Sequence, residues 1–268
     1  MPQKYLTLGG TATLVHHRGP TTLPESPPST DRGKTVICLH EAGTNGAQFG
    51  DLMDQLAEHH SPLSYDQPGH GRSGGLDALA SVPAMAEQLL GLISRWELGP
   101  SVLVGEGLGT AVALQAAAAA PDAVAALVLI GGAAAEFALE DEIEALSAIT
   151  SGKARREFDR TGYAPETERA VYQKAFSYWV KTDPRATLGA RRAQAAWRLD
   201  QGATGPTAPT LVIAGEHEED ASVAAAEQLV AALPHARLER LPGAGRRGVL
   251  EQPETLSGRI CAFLEDAA

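Results

Sequence analysis

The feature that most restricts the fold is an alternation. Apolar runs of strand length are separated, over most of the chain, by segments of helical length. The runs "KTVICLH", "SVLVG", "VAALVLIGG" and "PTLVIAGEHEED" carry nearly continuous apolar stretches, so strands built from them need cover on both faces. A mainly parallel sheet with helices on each side provides that cover. The intervening segments place apolar residues at helical spacing: Phe49, Leu52, Met53 and Leu56 in one, Leu256, Ile260 and Leu264 in the last. At the start, "KYLTL" and "TATLVHH" read as an antiparallel pair, and the proline-rich "TTLPESPPSTDRG" as an exposed excursion.

One block breaks the alternation. Residues 136–205 read as several amphipathic helices, with Val171, Ala175, Tyr178 and Trp179 among the inward-facing positions. Inserted between two strands, such a block makes either a lid or a purely structural addition. The expected organisation is therefore a core in two parts, 1–135 and 206–268, with a helical cap at 136–205. A length of 268 residues suits one large α/β domain carrying such an insertion.

Charge and cysteine usage narrow the function classes. A formal net charge of -11 disfavours nucleic acid or an anionic membrane as the main partner, so an anionic ligand needs a local cation. The apolar stretch from Leu108 to Ile130 is divided by Gln115, Pro121 and Asp122, and reads as a buried Ala-rich helix followed by a strand. The first residues show no basic segment leading into a long apolar run, so no secretory signal is expected. The two cysteines, Cys38 and Cys261, lack metal-ligand spacing and read as reduced packing residues of a cytoplasmic protein. The expected partner is a small organic molecule, with no metal or other cofactor.

The stretch "VLVGEGLGT" reads as a strand, a sharp turn and a helix. Together with "LHEAG", "YDQPGHGRSGG", "PTLVIAGEHE" and "LERLPGAGRRGVLEQPE", in that order, it resembles the α/β-hydrolase superfamily, especially its cap-bearing esterase, lactonase and C-C hydrolase branches. The resemblance spans nearly the whole chain outside the cap. It implies a Ser-acid-His triad in that chain order. By position the nucleophile falls on Gly107, the acid on Glu218, with Asp220 as a neighbouring alternative, and the histidine on Arg246. Glycine has no attacking atom, and a guanidinium with a pKa above about 12 is no general base near neutrality. Thr110 and Thr44 lack an obvious histidine partner for a relocated nucleophile.

A rebuilt site is then expected. The resemblance assigns an oxyanion hole to the backbone N-H groups of Ala42 and Leu108, able to stabilise an enolate or alkoxide as well as an acyl intermediate. Glu41, where the family's loop often carries a glycine after the histidine, and Glu106, immediately before the empty nucleophile position, are candidate acid/base groups if they face the pocket and burial raises their pKa. Their alternatives are a solvated loop carboxylate and a hydrogen-bonded structural residue. Glu218 and Arg246 are expected to pair or, alternatively, to leave Arg246 free to bind an anion. His40, Arg246, Tyr178 and Trp179 are candidate ligand contacts, with Tyr172 and Trp197 as further lid aromatics.

Three functions follow as expectations. The first is a cofactor-independent, non-hydrolytic enzyme acting on an organic carbonyl compound by elimination, isomerisation, cyclisation or decarboxylation. The second is a ligand-binding pseudohydrolase. The third is residual ester or lactone hydrolysis by directly activated water.

Overall fold

The computed structural model describes residues 2–20, 22–23, 25–131, 139–199 and 206–267. The opening pair forms as expected: β1 (Gln3–Leu8) runs antiparallel to β2 (Thr11–His17). Then follow β3 (Thr35–Leu39), α1 (Gly50–Leu56), β4 (Ser61–Tyr65), α2 (Val82–Arg95), β5 (Ser101–Glu106), α3 (Leu108–Ala119) and β6 (Val124–Ile130). Three helices come next, α4 (Glu140–Thr150), α5 (Arg169–Trp179) and α6 (Pro184–Ala196), before β7 (Thr210–Gly215), α7 (Asp220–Ala232), β8 (Ala236–Leu241), α8 (Gly248–Glu251) and α9 (Pro253–Asp266). The boundaries expected for the cap, at 135/136 and 205/206, fall on or beside 132–138 and 200–205, outside the described residues.

The strands make one sheet in the order β1-β2-β4-β3-β5-β6-β7-β8, parallel from β4 to β8. Two-fold alternation sorts their side chains. Ile37 and Leu39 of β3, Leu103 of β5, and Leu127 and Leu129 of β6 pack with Leu89 and Leu92 of α2 and Leu114 of α3. Val36, Cys38, Val102, Val104, Val128 and Ile130 face the other way, onto Phe49, Leu52, Met53, Leu256 and Ile260. Each fully buried aliphatic side chain contributes about 1.5–3 kcal/mol, which is why every central strand reads as continuously apolar. The stretch Leu108–Ile130 resolves into α3 and β6, and no helix among the described residues is long and apolar enough to cross a membrane.

The sheet order also fixes where a site can form. From β3 the chain passes to β4 on one side, while β5 joins β3 on the other. That reversal opens a crevice beyond the carboxyl ends of β3 and β5, the usual ligand position in open α/β sheets. The β3-β5 register pairs Leu39 with Gly105, which brings the loop starting at His40 beside the turn at Gly107. Close approach of α3 requires glycine at 109, where a Cβ would run into the Leu39 carbonyl oxygen.

The helical insertion is seated on the β3 loop. Asp183 caps α6 by accepting from the Arg185 N-H at 2.8 Å, with Pro184 opening the helix. From that start Thr187 and Arg191, one turn apart, face the 41–44 loop, and Thr187 lies against Gly43. The Thr182 hydroxyl donates to the Thr44 carbonyl at 3.0 Å, Asn45 Nδ2 to the Tyr178 carbonyl at 3.3 Å, and Trp197 Nε1 to Gln115 of α3 at 2.8 Å.

Candidate functional site

Gly107 forms the turn between β5 and α3, with φ 55° and ψ -112°. L side chains rarely adopt this conformation, and glycine meets it at no steric cost. The turn aims the Leu108 N-H across at the β3 loop. There the Glu41 carboxylate receives it: Oε1 accepts from Leu108 N at 3.0 Å and from Ala42 N at 2.6 Å. The two backbone donors expected to form an oxyanion hole therefore do converge, and the atom between them is the protein's own carboxylate oxygen. Arg191 Nη1 adds a third donor to Oε1 at 2.8 Å, and Arg247 Nη1 lies 3.8 Å from Oε2.

Glu41 is 3% exposed, and burial alone would raise its pKa. The guanidiniums of Arg191, Arg246 and Arg247, with the Leu108 N-H, reverse that and pull it down to about 2. Glu41 is thus a buried, fixed anion, neither a solvated loop carboxylate nor an acid tuned upward.

Glu106 is fully buried directly before the turn. Its Oε2 accepts from Gln48 Nε2 at 2.9 Å and lies 3.5 Å from Arg247 Nη1, while Oε1 has no hydrogen-bond partner among the described residues. Burial pushes this carboxyl upward, with Glu41 adding to the shift and Arg247 and Gln48 opposing it. Two carboxyl groups on one arginine are therefore displaced in opposite directions. The Tyr163 side chain also acts on Arg247 electrostatically. The same Arg191 Nη1 also donates to Gln194 Oε1 at 2.9 Å, and its Nε forms an ion pair with Glu142 at 2.9 Å.

The remaining expected residues are more dispersed. His40 is buried: Nδ1 donates to the Glu41 carbonyl at 2.8 Å, Nε2 accepts from Gln67 N at 3.0 Å, and burial lowers its pKa. Both ring nitrogens are thus committed to shaping the loop. Glu218 Oε2 accepts from Gly215 N at 3.0 Å, and its Oε1 has no hydrogen-bond partner among the described residues, so the expected hydrogen-bonded pair with Arg246 is not formed. Burial raises the Glu218 pKa, with Arg246 acting on it from a longer range. The two residues share a cleft of about 320 Å³ that also includes Tyr163, His217 and Ser222. Asp220 is exposed at the start of α7. The Trp179 ring packs edge-on to Phe158 and lies under the Arg156 guanidinium, 3.9 Å away, while Tyr178 is half-buried and Tyr172 stacks obliquely on Tyr163.

Sequence reasoning missed Arg191, Arg247, Gln48 and Tyr163. A signal existed for two of them. Each arginine sits in an "RR" doublet, "GARRAQ" and "GAGRRG", and in α6 Thr187, Ala190, Arg191 and Gln194 share one helical face. An arginine on the inward face of a helix needs a buried carboxylate partner.

With this geometry in place the comparisons are specific. The model of the Alpha/beta hydrolase family matches residues 36–259. This chain is a member of that family. Polyketide synthase ThaQ of Burkholderia thailandensis is 30% identical over 249 residues, covering 88% of this chain and 12% of that protein. The 2-(acetamidomethylene)succinate hydrolase of Mesorhizobium japonicum is 32% identical over 117 residues, 44% of this chain and 40% of the relative. The chain thus spans well under half the length of both. Among solved structures, a thermophilic esterase from Thermogutta terrifontis has the same fold, with a TM-score of 0.84 at 19% identity over 100% of this chain and 99% of its own.

Proposed function

We propose that this family member performs proton-transfer chemistry on a small organic carbonyl compound, of the elimination, isomerisation, cyclisation or decarboxylation class, in place of Ser-acid-His hydrolysis. The observation that carries the reading is the Glu41–Arg247–Glu106 arrangement. Environments that push two neighbouring carboxyl groups apart in pKa divide the work between an ionised group and a neutral acid. Glu106 is the acid, biased toward its protonated form by burial, and Glu41 holds the negative charge that keeps Arg191 and Arg247 in place. Gly107 offers no nucleophile, and the position where the family resemblance expects histidine holds Arg246, whose guanidinium carries donors only. The similarity to part of a polyketide synthase supports a substrate built from carbonyl units. The test is turnover of oxo acids and enol lactones followed by NMR. Loss of general acid catalysis in Glu106→Gln should cost about 10²-fold or more, and an unchanged rate removes Glu106 from the mechanism.

A second reading is favoured by one observation: the Ala42 and Leu108 N-H groups already have an acceptor in Glu41. In that reading the protein binds a ligand without transforming it. Saturable binding with no product across the same compounds selects it.

A further inference from the structure

We infer that the Ala42 N-H, the Leu108 N-H and Arg191 Nη1 form a carboxylate-binding cradle whose resident occupant is Glu41, and that the natural ligand presents a carboxylate to the same cradle. The inference deepens the proton-transfer reading by naming the charge of the group through which the substrate is recognised.

Three features carry it. The cradle is complete, since three donors meet one oxygen at 2.6, 3.0 and 2.8 Å with Arg247 3.8 Å from the other. Such charge-assisted recognition suits a carboxylate better than a neutral ester carbonyl, which brings no charge to two guanidiniums. The cradle also owes its carboxylate-sized volume to Gly107, since a Cβ there would run into the Glu41 carboxylate that now fills it. Finally, its occupant is tethered in a way that permits exchange. Glu41 Oε2 lies near Arg247, so a rotation toward that arginine keeps the displaced carboxylate paired while Ala42, Leu108 and Arg191 receive the incoming one.

Self-occupancy acts as a selection device. An incoming group must replace an anion held by three donors, so a neutral carbonyl compound is rejected by the charge it leaves uncompensated, while a carboxylic acid restores every contact. Removing Glu41 should therefore convert a concealed site into an accessible one.

The experiment is chemical rescue of Glu41→Ala with formate, against chloride at equal ionic strength. The expected result is a saturable rise in the unfolding midpoint, about 3–6 °C at ten times the Kd, absent in wild type and absent in Glu41→Ala/Arg191→Met. Pyruvate should bind Glu41→Ala at least about 100-fold more tightly than wild type, and methyl pyruvate should bind neither. If Glu41→Ala is unfolded in chloride, formate should restore its far-UV circular dichroism. Equal effects of formate and chloride in whichever assay applies overturn the inference, as does equal binding of the acid and its methyl ester. Because the readouts are stability and binding, a failure here leaves Glu106 chemistry standing, and absence of turnover leaves the cradle standing.

Discussion

Glu41 and Gly107 share one volume: a Cβ built on Gly107 would project into the Glu41 carboxylate. The two residues lie on different strand ends, brought together by the β3-β5 register. Each makes the other's position workable. Glycine satisfies the positive φ of the turn and leaves space, and the carboxylate fills that space while taking the N-H group that the turn exposes. The turn after β5 thus delivers its N-H to an anion supplied by the neighbouring strand end.

Gly107→Ala should therefore destabilise the protein by about 2–4 kcal/mol, combining a left-handed backbone cost of about 1–2 kcal/mol with displacement of a buried anion. The backbone part is independent of Glu41, whereas the steric part is not. In Gly107→Ala/Glu41→Gly the combined loss should be smaller than the two single losses added together, by about 1 kcal/mol or more. Urea denaturation of the four proteins measures this coupling, and simple additivity would show that the two residues do not compete for space.

Acid stability gives a second prediction. The folded pKa of Glu41, about 2, lies below its ordinary value of 4.5. Its stabilisation is therefore fully present above about pH 4.5 and is lost as the pH falls through 2, amounting to on the order of 3 kcal/mol. Glu106 has the opposite sign. Its raised pKa makes its contribution full below pH 4.5 and lost as the pH rises through the folded value. Equilibrium unfolding across pH should show Glu41→Gln flattening the acid limb and Glu106→Gln flattening the decline above pH 4.5. An acid limb unchanged in Glu41→Gln would refute the paired anion.

Much of this protein was legible before the structure. Parallel strands declared themselves because both faces are buried, as Val102, Leu103 and Val104 show by packing on opposite sides of the sheet. Ala42, Leu108, Glu41, Glu106 and Gly107 are legible as candidates because each adjoins a motif at a strand end. The partners of those residues were not legible. Arg191 comes from an insertion 150 positions away from Glu41, and no local pattern announces which surface an α6 arginine will meet. The Glu218–Arg246 pairing misled for a related reason. Chain order puts the two side chains in the same cleft, but Glu218 turns back onto the Gly215 N-H of its own loop, a local bond that sequence spacing does not reveal.

The two carboxylate partners of Arg191 differ in burial, and this separates their expected worth. Arg191→Met removes the donor that balances buried Glu41 and should cost about 3–5 kcal/mol, because an uncompensated anion is left inside. Glu142 is about two-fifths exposed at its side chain, so Glu142→Gln should cost under about 1 kcal/mol. Thermal and urea unfolding of both variants provides the comparison. Equal losses would mean that Arg191 contributes through its pair with Glu142, inside the insertion, rather than through the contact with Glu41.

Placing a serine at position 107 should not produce hydrolysis. In Gly107→Ser the new hydroxyl would have to enter the volume held by Glu41, and the Ala42 and Leu108 donors would still be occupied. A tetrahedral oxyanion then has nowhere to bind, and loss of even one such donor costs about 10²–10³-fold in other hydrolases. No base is available at position 246 either, since a guanidinium carries donors and no acceptor nitrogen. Gly107→Ser alone, and with Arg246→His, should therefore show no chromogenic-ester hydrolysis above the wild-type background. Adding Glu41→Gly clears the hole, and that triple variant is the first in which an acyl adduct on residue 107 should be detectable by mass spectrometry. Ester turnover by Gly107→Ser with Glu41 intact would show that the carboxylate leaves the hole freely, and would remove the basis for treating Glu41 as its resident occupant.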